Sequence, residues 1–169
     1  MSLKQRLKQQ LTSARGISER ILNDFHTPDE WLHQIHPGTN HALWFAGHMG
    51  QTDNFFITLL DPTQAAPRAG WGEMFGMGSQ PTGNPDDYPP VAEVLDYMRD
   101  RRQTLLAVLE RLSEDELETP TPQGSPEFLA DYGMVFQAAS WHEGMHTGQL
   151  TTVRRSLGHK PIMNPQPVS

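Results

Sequence analysis

The sequence contains no cysteine, which excludes disulfides, thiolate metal sites and cysteine nucleophiles. It has no apolar run near the roughly 18 residues that a membrane span needs, and its first residues lack the apolar core of a signal peptide. Positive charge is scarce as well, since 13 Lys and Arg against 20 Asp and Glu give a net charge of −7. Nucleic acids and anionic membranes are bound through cationic patches, so neither is an expected partner. We expect a soluble, cytoplasmic protein.

The apolar residues that are present repeat with the period of helices. At 169 residues and 36% apolar content, the chain is long enough for one domain with a packed core. No segment shows the sustained alternation of a strand. Ser2 and Asn40 are candidate N-caps, and Gly158 is a candidate C-terminal stop. The pattern predicts an all-α, antiparallel four-helix bundle over residues 1–158, followed by an irregular tail, 159–169. The predicted helices cover 2–25, 41–60, 90–112 and a last segment that begins between 126 and 132 and ends at 157.

The second and third predicted helices are separated by residues 61–90. This segment holds five glycines and six prolines, so we predict a long irregular crossover. It also carries an apolar tip, formed by Trp71, Met74, Phe75 and Met77. Either this tip packs on the bundle, or it serves as a lid or a dimer contact.

The strongest chemical signal lies in the last predicted helix. His142 and His146 are four residues apart, so their side chains differ by only about 40° around the helix and lie one turn apart. Two imidazoles placed in this way can bind one divalent metal ion. The alternative is that they are two unrelated helix histidines.

His48 is the candidate third ligand. It lies among apolar and small residues of the second predicted helix, where a buried imidazole needs a polar partner. Three neutral imidazoles with an open position are typical of a catalytic metal site that activates water or a thiol. His48 can alternatively be a hydrogen-bonded core residue. His41 competes for the role, but it lies about 10 Å away along the helix, so we expect it at the mouth of the site or on the surface.

Two further residues are candidates for catalysis. Gln149 lies one turn beyond the histidine pair and can orient or assist a ligand. Glu143 either reaches a metal-bound water as a general base or is solvated. Residues 142–146 also match the H-E-x-x-H pattern of zinc metalloproteases. We consider a protease a minor alternative, because the extended metzincin pattern requires Gly where Gln149 stands and no strands are predicted.

Three pieces of the sequence together resemble one family. The first runs from 37 to 48 and ends in Leu-Trp-Phe-Ala-Gly-His; the second comprises 94–98 and 112–117; the third is His-Glu-x-x-His-x-Gly-Gln-Leu at 142–150. Together they resemble the DinB-like (YfiT-like) superfamily of metalloenzymes over about residues 1–158. The resemblance implies an up-down-down-up bundle in which His48, His142 and His146 bind a divalent metal, often nickel or zinc, with iron also compatible. It also implies a homodimer.

The resemblance suggests a function that the residues alone do not. Relatives include bacillithiol S-transferases, a mycothiol-dependent maleylpyruvate isomerase and the iron-binding domain of ergothioneine-type sulfoxide synthases; this chain lacks the extra C-terminal domain of the last two. We therefore expect a metal-dependent enzyme that acts on a small molecule, with transfer of a low-molecular-weight thiol ahead of hydrolysis. The alternative class is a non-catalytic, metal-stabilised bundle or a small-molecule-binding stress module.

Overall fold

Six α-helices form the protein in the computed structural model, which describes residues 1–162. Over this range the chain has no β-strand, and a single isolated bridge joins Pro120 to Asp131. The all-α prediction is confirmed. Part of the predicted irregular tail, 163–169, lies outside the described residues. The helices are α1 (Leu3–Leu22), α2 (Pro28–Trp31), α3 (Ala42–Leu60), α4 (Trp71–Phe75), α5 (Val91–Arg111) and α6 (Tyr132–Ser156).

Side chains at the helix ends explain where the helices start and stop. Ser2 accepts a hydrogen bond from the Gln5 amide and forms a capping box at the start of α1, as predicted. The N-cap of α3 is His41 rather than the predicted Asn40, because His41 Nδ1 accepts a hydrogen bond from the Trp44 amide at 3.1 Å. Gly158 follows the end of α6 with a φ of +91°, a backbone conformation that glycine adopts without strain.

The four long helices pack in a closed ring. Helix α3 contacts both α5 and α6, and α1 contacts the same two helices from the other side. This arrangement is compatible with the expected bundle, while its up-down-down-up order stays a prediction. Buried apolar side chains form two clusters, one around Phe45 and Met98 and the other around Leu11 and Phe136. The apolar core thus extends along the length of the four helices.

The crossover between α3 and α5 contains more regular structure than the sequence predicts. It includes α4 and two short 3-10 turns, Pro62–Gln64 and Pro85–Asp87. Trp71 and Phe75 of α4 are buried in the first apolar cluster, whereas Met77 is 98% exposed. The apolar tip is therefore divided between the core and the surface. In the described part of the chain, no helix combines the length and the apolar character needed to cross a bilayer.

Candidate metal centre

The three predicted ligands converge between α3 and α6. His142 and His146 face the same way from successive turns of α6, with ring centroids 4.6 Å apart. His48 of α3 meets them, and its Nε2 lies 3.1 Å from Nε2 of His142. Ring nitrogens from all three side chains lie within 4.8 Å of one another. The structure thus brings together the three residues that the spacing and the resemblance selected.

The spacing of these nitrogens fits a divalent metal ion. Nitrogen ligands about 2.0–2.1 Å from one ion are about 2.8–3.4 Å apart, from octahedral to tetrahedral angles. The distance of 3.1 Å between His48 and His142 lies within this interval. Among the described residues, no carboxylate or fourth histidine belongs to the cluster. Three protein ligands leave coordination positions for a small molecule, as in catalytic metal sites.

The ring of His48 is held on two sides. Its Nδ1 donates a hydrogen bond to the Phe75 carbonyl at 2.6 Å, which leaves the lone pair of Nε2 directed at the other two histidines. The indole of Trp44, one turn earlier in α3, stacks on the imidazole with centroids 4.4 Å apart and an interplanar angle of 16°. Hydrogen bonding of the second nitrogen fixes tautomer and orientation, as metal-ligating histidines require.

The ring of His146 is held by a short polar chain. His146 Nδ1 lies 2.9 Å from Gln149 Oε1, and the same oxygen accepts a hydrogen bond from Asn40 Nδ2 at 3.0 Å. Gln149 is therefore next to a ligand, where it can orient the imidazole. The link through Asn40 depends on the packing of the segment before α3 against α6, so the sequence did not indicate it.

Burial keeps all three imidazoles neutral at pH 7. It is the main cause that lowers the pKa of His48 to about 4 and that of His142 to about 3. Burial also lowers the pKa of His146, although its hydrogen bond to Gln149 acts in the opposite direction. A neutral imidazole offers a lone pair to a metal, whereas an imidazolium cannot bind one. The cluster is therefore in the ligand-competent form before any metal binds.

Glu143 points away from the three histidines and into the centre of the bundle. Its side chain is 0% exposed. Oε1 accepts hydrogen bonds from Arg15 Nε at 2.7 Å and Ser18 Oγ at 2.5 Å. Arg102 Nη2 lies 2.8 Å from Oε2, without the alignment of a hydrogen bond. Both oxygens of this carboxylate thus contact cations of the core. The side chain of Glu143 is therefore neither solvated nor placed beside a metal-bound water, the two positions considered from the sequence.

The cations that surround Glu143 belong to a buried ion network drawn from all four long helices. Arg15 comes from α1, Asp53 from α3, Arg102 from α5 and Glu143 from α6. Asp53 accepts two hydrogen bonds from Arg102, at 2.8 and 2.9 Å, and one from Arg15 at 3.0 Å. Burial alone lowers the pKa of Arg102, but Asp53 and Glu143 outweigh it and raise that pKa. Two positive and two negative groups leave the network without net charge.

This network was not predicted from the sequence, although the sequence contains a signal for it. Arg15 stands in the apolar stripe of α1, four residues after Leu11, and Asp53 lies at a buried position of the largely apolar α3. Charged residues at core positions are almost never fully buried unless they are paired. Two such residues of opposite charge in separate helices indicate a buried ion pair.

His41 does not lie on the surface, and that part of the prediction is wrong. Its side chain is 0% exposed. Nδ1 caps α3, and Nε2 lies 3.2 Å from the Tyr88 hydroxyl. Because the crossover returns Tyr88 over the start of α3, it covers a residue that the helix alone leaves accessible. His41 lies in the same small cleft as His146 and Gln149 but is not one of the clustered ligands.

Comparison with known proteins agrees with this architecture. No protein with a curated description matches the sequence. The family model described as DinB superfamily matches residues 10–150, which include the four long helices in whole or in large part and all three clustered histidines. The resemblance stated from the three sequence motifs is thereby confirmed. The chain belongs to the DinB superfamily.

Proposed function

We propose that this protein is a metal-dependent enzyme that transfers a low-molecular-weight thiol to an electrophilic small molecule. The observation that carries the proposal is the convergence of three imidazoles with no fourth ligand among the described residues. These residues would hold a divalent cation, nickel, zinc or iron, which would lower the pKa of a thiol or water and so supply a nucleophile at neutral pH. The choice of a thiol over water comes from the family and is an inference by analogy.

The residues around the imidazoles prepare the site for this chemistry. His48, His142 and His146 act as ligands, while the Phe75 carbonyl and Gln149 keep two of the rings in the required tautomer. Trp44 covers one face of the His48 ring and shields it from water. In the transfer itself, the thiol sulfur bonds to the electrophilic atom, the leaving group departs with its electron pair, and the thiol proton passes to solvent.

Glu143 is not assigned a role as general base in this proposal. Its carboxylate already contacts Arg15 and Arg102, so it has no free oxygen directed at the metal ligands. This placement also weakens the metalloprotease alternative, which needs a glutamate beside the metal. Gln149 is treated as a positioning residue because its contact is with His146. The substrate is a small molecule, and both a homodimer and a cytoplasmic location, where thiols are kept reduced, are further expectations.

A second candidate function is a non-catalytic bundle that a metal stabilises. It is favoured by the location of the cluster, because a metal bound by His48 and His142 links α3 to α6. Metal sites that join separate elements contribute directly to folding free energy. The two candidates differ in whether removal of the metal abolishes an activity or only lowers stability.

The deciding experiment combines metal analysis with an activity assay. Elemental analysis of protein purified without a nickel column gives the metal content of wild type, His142→Ala and His26→Ala, the last an exposed histidine outside the cluster. Each protein is then assayed for conjugation of a small thiol to an electrophile, with and without chelator. We expect chelator-sensitive activity in wild type and His26→Ala, and loss of both metal and activity in His142→Ala. A large fall in melting temperature on chelation without thiol-transfer activity contradicts the proposal and favours the stabilised bundle.

A further inference from the structure

The contact between His48 and Phe75 joins a metal ligand to the crossover. Phe75 is the last residue of α4, and the last carbonyls of a helix have no acceptor role within it. The Phe75 carbonyl is therefore free to accept the Nδ1–H of His48, at 2.6 Å. The N–H of the same peptide unit, on Gly76, donates a hydrogen bond to the Gly72 carbonyl at 2.9 Å. The end of a five-residue helix thus supplies the hydrogen bond that orients a ligand 27 residues away in sequence.

The side chain of Phe75 anchors that carbonyl. It is fully buried, and its ring lies 5.3 Å from Trp71 and 5.7 Å from Tyr88 between centroids. Aromatic side chains of this kind contribute much of the apolar area that a short segment buries. Docking of α4 therefore depends on a single aromatic cluster, and the carbonyl is correctly placed only when the ring is in its pocket.

Gly47 makes room for the ring. A Cβ atom at this position lies 2.6 Å from Cε1 of Phe75 and closer still to two other ring carbons. Real Cβ atoms essentially never approach carbon so closely, and the ring is enclosed by the core on its other sides. Gly47 directly precedes His48, so the same short stretch of α3 provides both the pocket for the ring and the donor for the carbonyl.

We propose that α4 is a positioning element of the metal centre, in which Gly47 and Phe75 hold the backbone carbonyl that orients His48. This inference rests on the metal site of the proposed function but not on the proposed reaction. Because coupling between two events is reciprocal, docking of α4 strengthens metal binding and metal binding stabilises the docked α4. Neither effect requires that the crossover touch the substrate.

Hydrogen exchange of the wild-type protein tests the coupling without a variant. Backbone amide exchange is measured over residues 66–80, with and without Zn²⁺. Exchange in the second apolar cluster, around Leu109 and Phe136, serves as an internal reference for global stabilisation. We expect Zn²⁺ to slow exchange of the Gly76 amide and its neighbours by more than it slows the reference. Stoichiometric Zn²⁺ binding without this excess protection overturns the inference alone. Failure to bind Zn²⁺ overturns the metal site itself and therefore both proposals.

A matched pair of variants in α3 tests the role of Gly47. Gly47→Ala crowds the Phe75 ring, whereas Ile57→Ala destabilises the same helix in the second apolar cluster, away from α4. Zn²⁺ affinity of the folded fraction is measured by competition with a chromophoric chelator. We expect about a 10- to 100-fold loss for Gly47→Ala, the usual effect of losing an outer partner of a ligand, and little change for Ile57→Ala. Equal losses in the two variants overturn the inference.

Discussion

Substituting Glu143 by Gln separates a structural role of this residue from a catalytic one. Gln preserves the shape of the side chain but removes one negative charge from the network. Since Arg15, Arg102 and Asp53 remain, a neutral group of four charged side chains becomes a group of three with one excess positive charge. The side chains of all four residues are almost completely buried, so water cannot compensate for the lost charge.

The magnitude follows from the burial of the network. Removing one partner of a buried ion pair generally costs about 3–5 kcal/mol, because it leaves an uncompensated charge in the core. For a chain of this size, 1 kcal/mol corresponds to a change of about 2–4 °C in melting temperature. We therefore expect Glu143→Gln to melt about 6–20 °C below wild type. Glu93→Gln is the matched control: Glu93 pairs with Arg68 at 3.7 Å on the surface, where a salt bridge contributes about 0–1 kcal/mol.

Thermal unfolding followed by circular dichroism measures this loss of stability. The Zn²⁺ affinity of the same variants is measured at 20 °C. The double variant Glu143→Gln/Arg15→Gln restores a network without net charge, so we expect it to be less destabilised than the sum of the two single variants. A melting temperature of Glu143→Gln close to that of Glu93→Gln refutes the reasoning. If such a stable variant also lost all activity, Glu143 would have to be a catalytic base, as one interpretation of the sequence held.

Other perturbations have equally definite outcomes. His146→Ala lowers metal stoichiometry sharply while helicity persists, and unchanged stoichiometry by elemental analysis removes it from the ligand set. Gln149→Ala weakens Zn²⁺ binding about 10- to 100-fold in chelator competition, because it frees Nδ1 of His146; equal affinity shows that the contact orients nothing. His41→Ala retains near-normal metal content, whereas a loss comparable to that of His48→Ala identifies His41 as a ligand. Burial lowers the pKa of His41 to about 4, against 6.5 when unfolded. The unfolded chain therefore binds more protons between these values, and stability of the metal-free protein falls as pH drops from 6.5 to about 4, with up to about 3 kcal/mol from this group. His41→Asn keeps a capping side chain and flattens that slope in urea titrations, and an unaltered slope excludes His41 as the titrating group.

Local features of the sequence were enough to locate the four long helices and the ligand pair on α6. The apolar period and the Ser2 cap located α1, and Gly158 located the end of α6. The spacing of His142 and His146 was informative because residues four apart share a helix face whatever the rest of the protein does. His48 was identified only by adding its small-residue surroundings and the family resemblance to that spacing, since its distance from α6 is a tertiary property.

Only the tertiary structure decided which side chains from separate helices meet, because these contacts depend on how the helices are rotated and aligned with one another. Glu143 follows His142 in sequence, but a rotation of about 100° per residue turns it into the core, where Arg15 of α1 and Arg102 of α5 contact it. In the same way, His41 is buried by Tyr88, and His48 is oriented by Phe75, each from a segment distant in sequence. A helical period records only which residues share a face. Which face meets which neighbour is decided when the whole core packs.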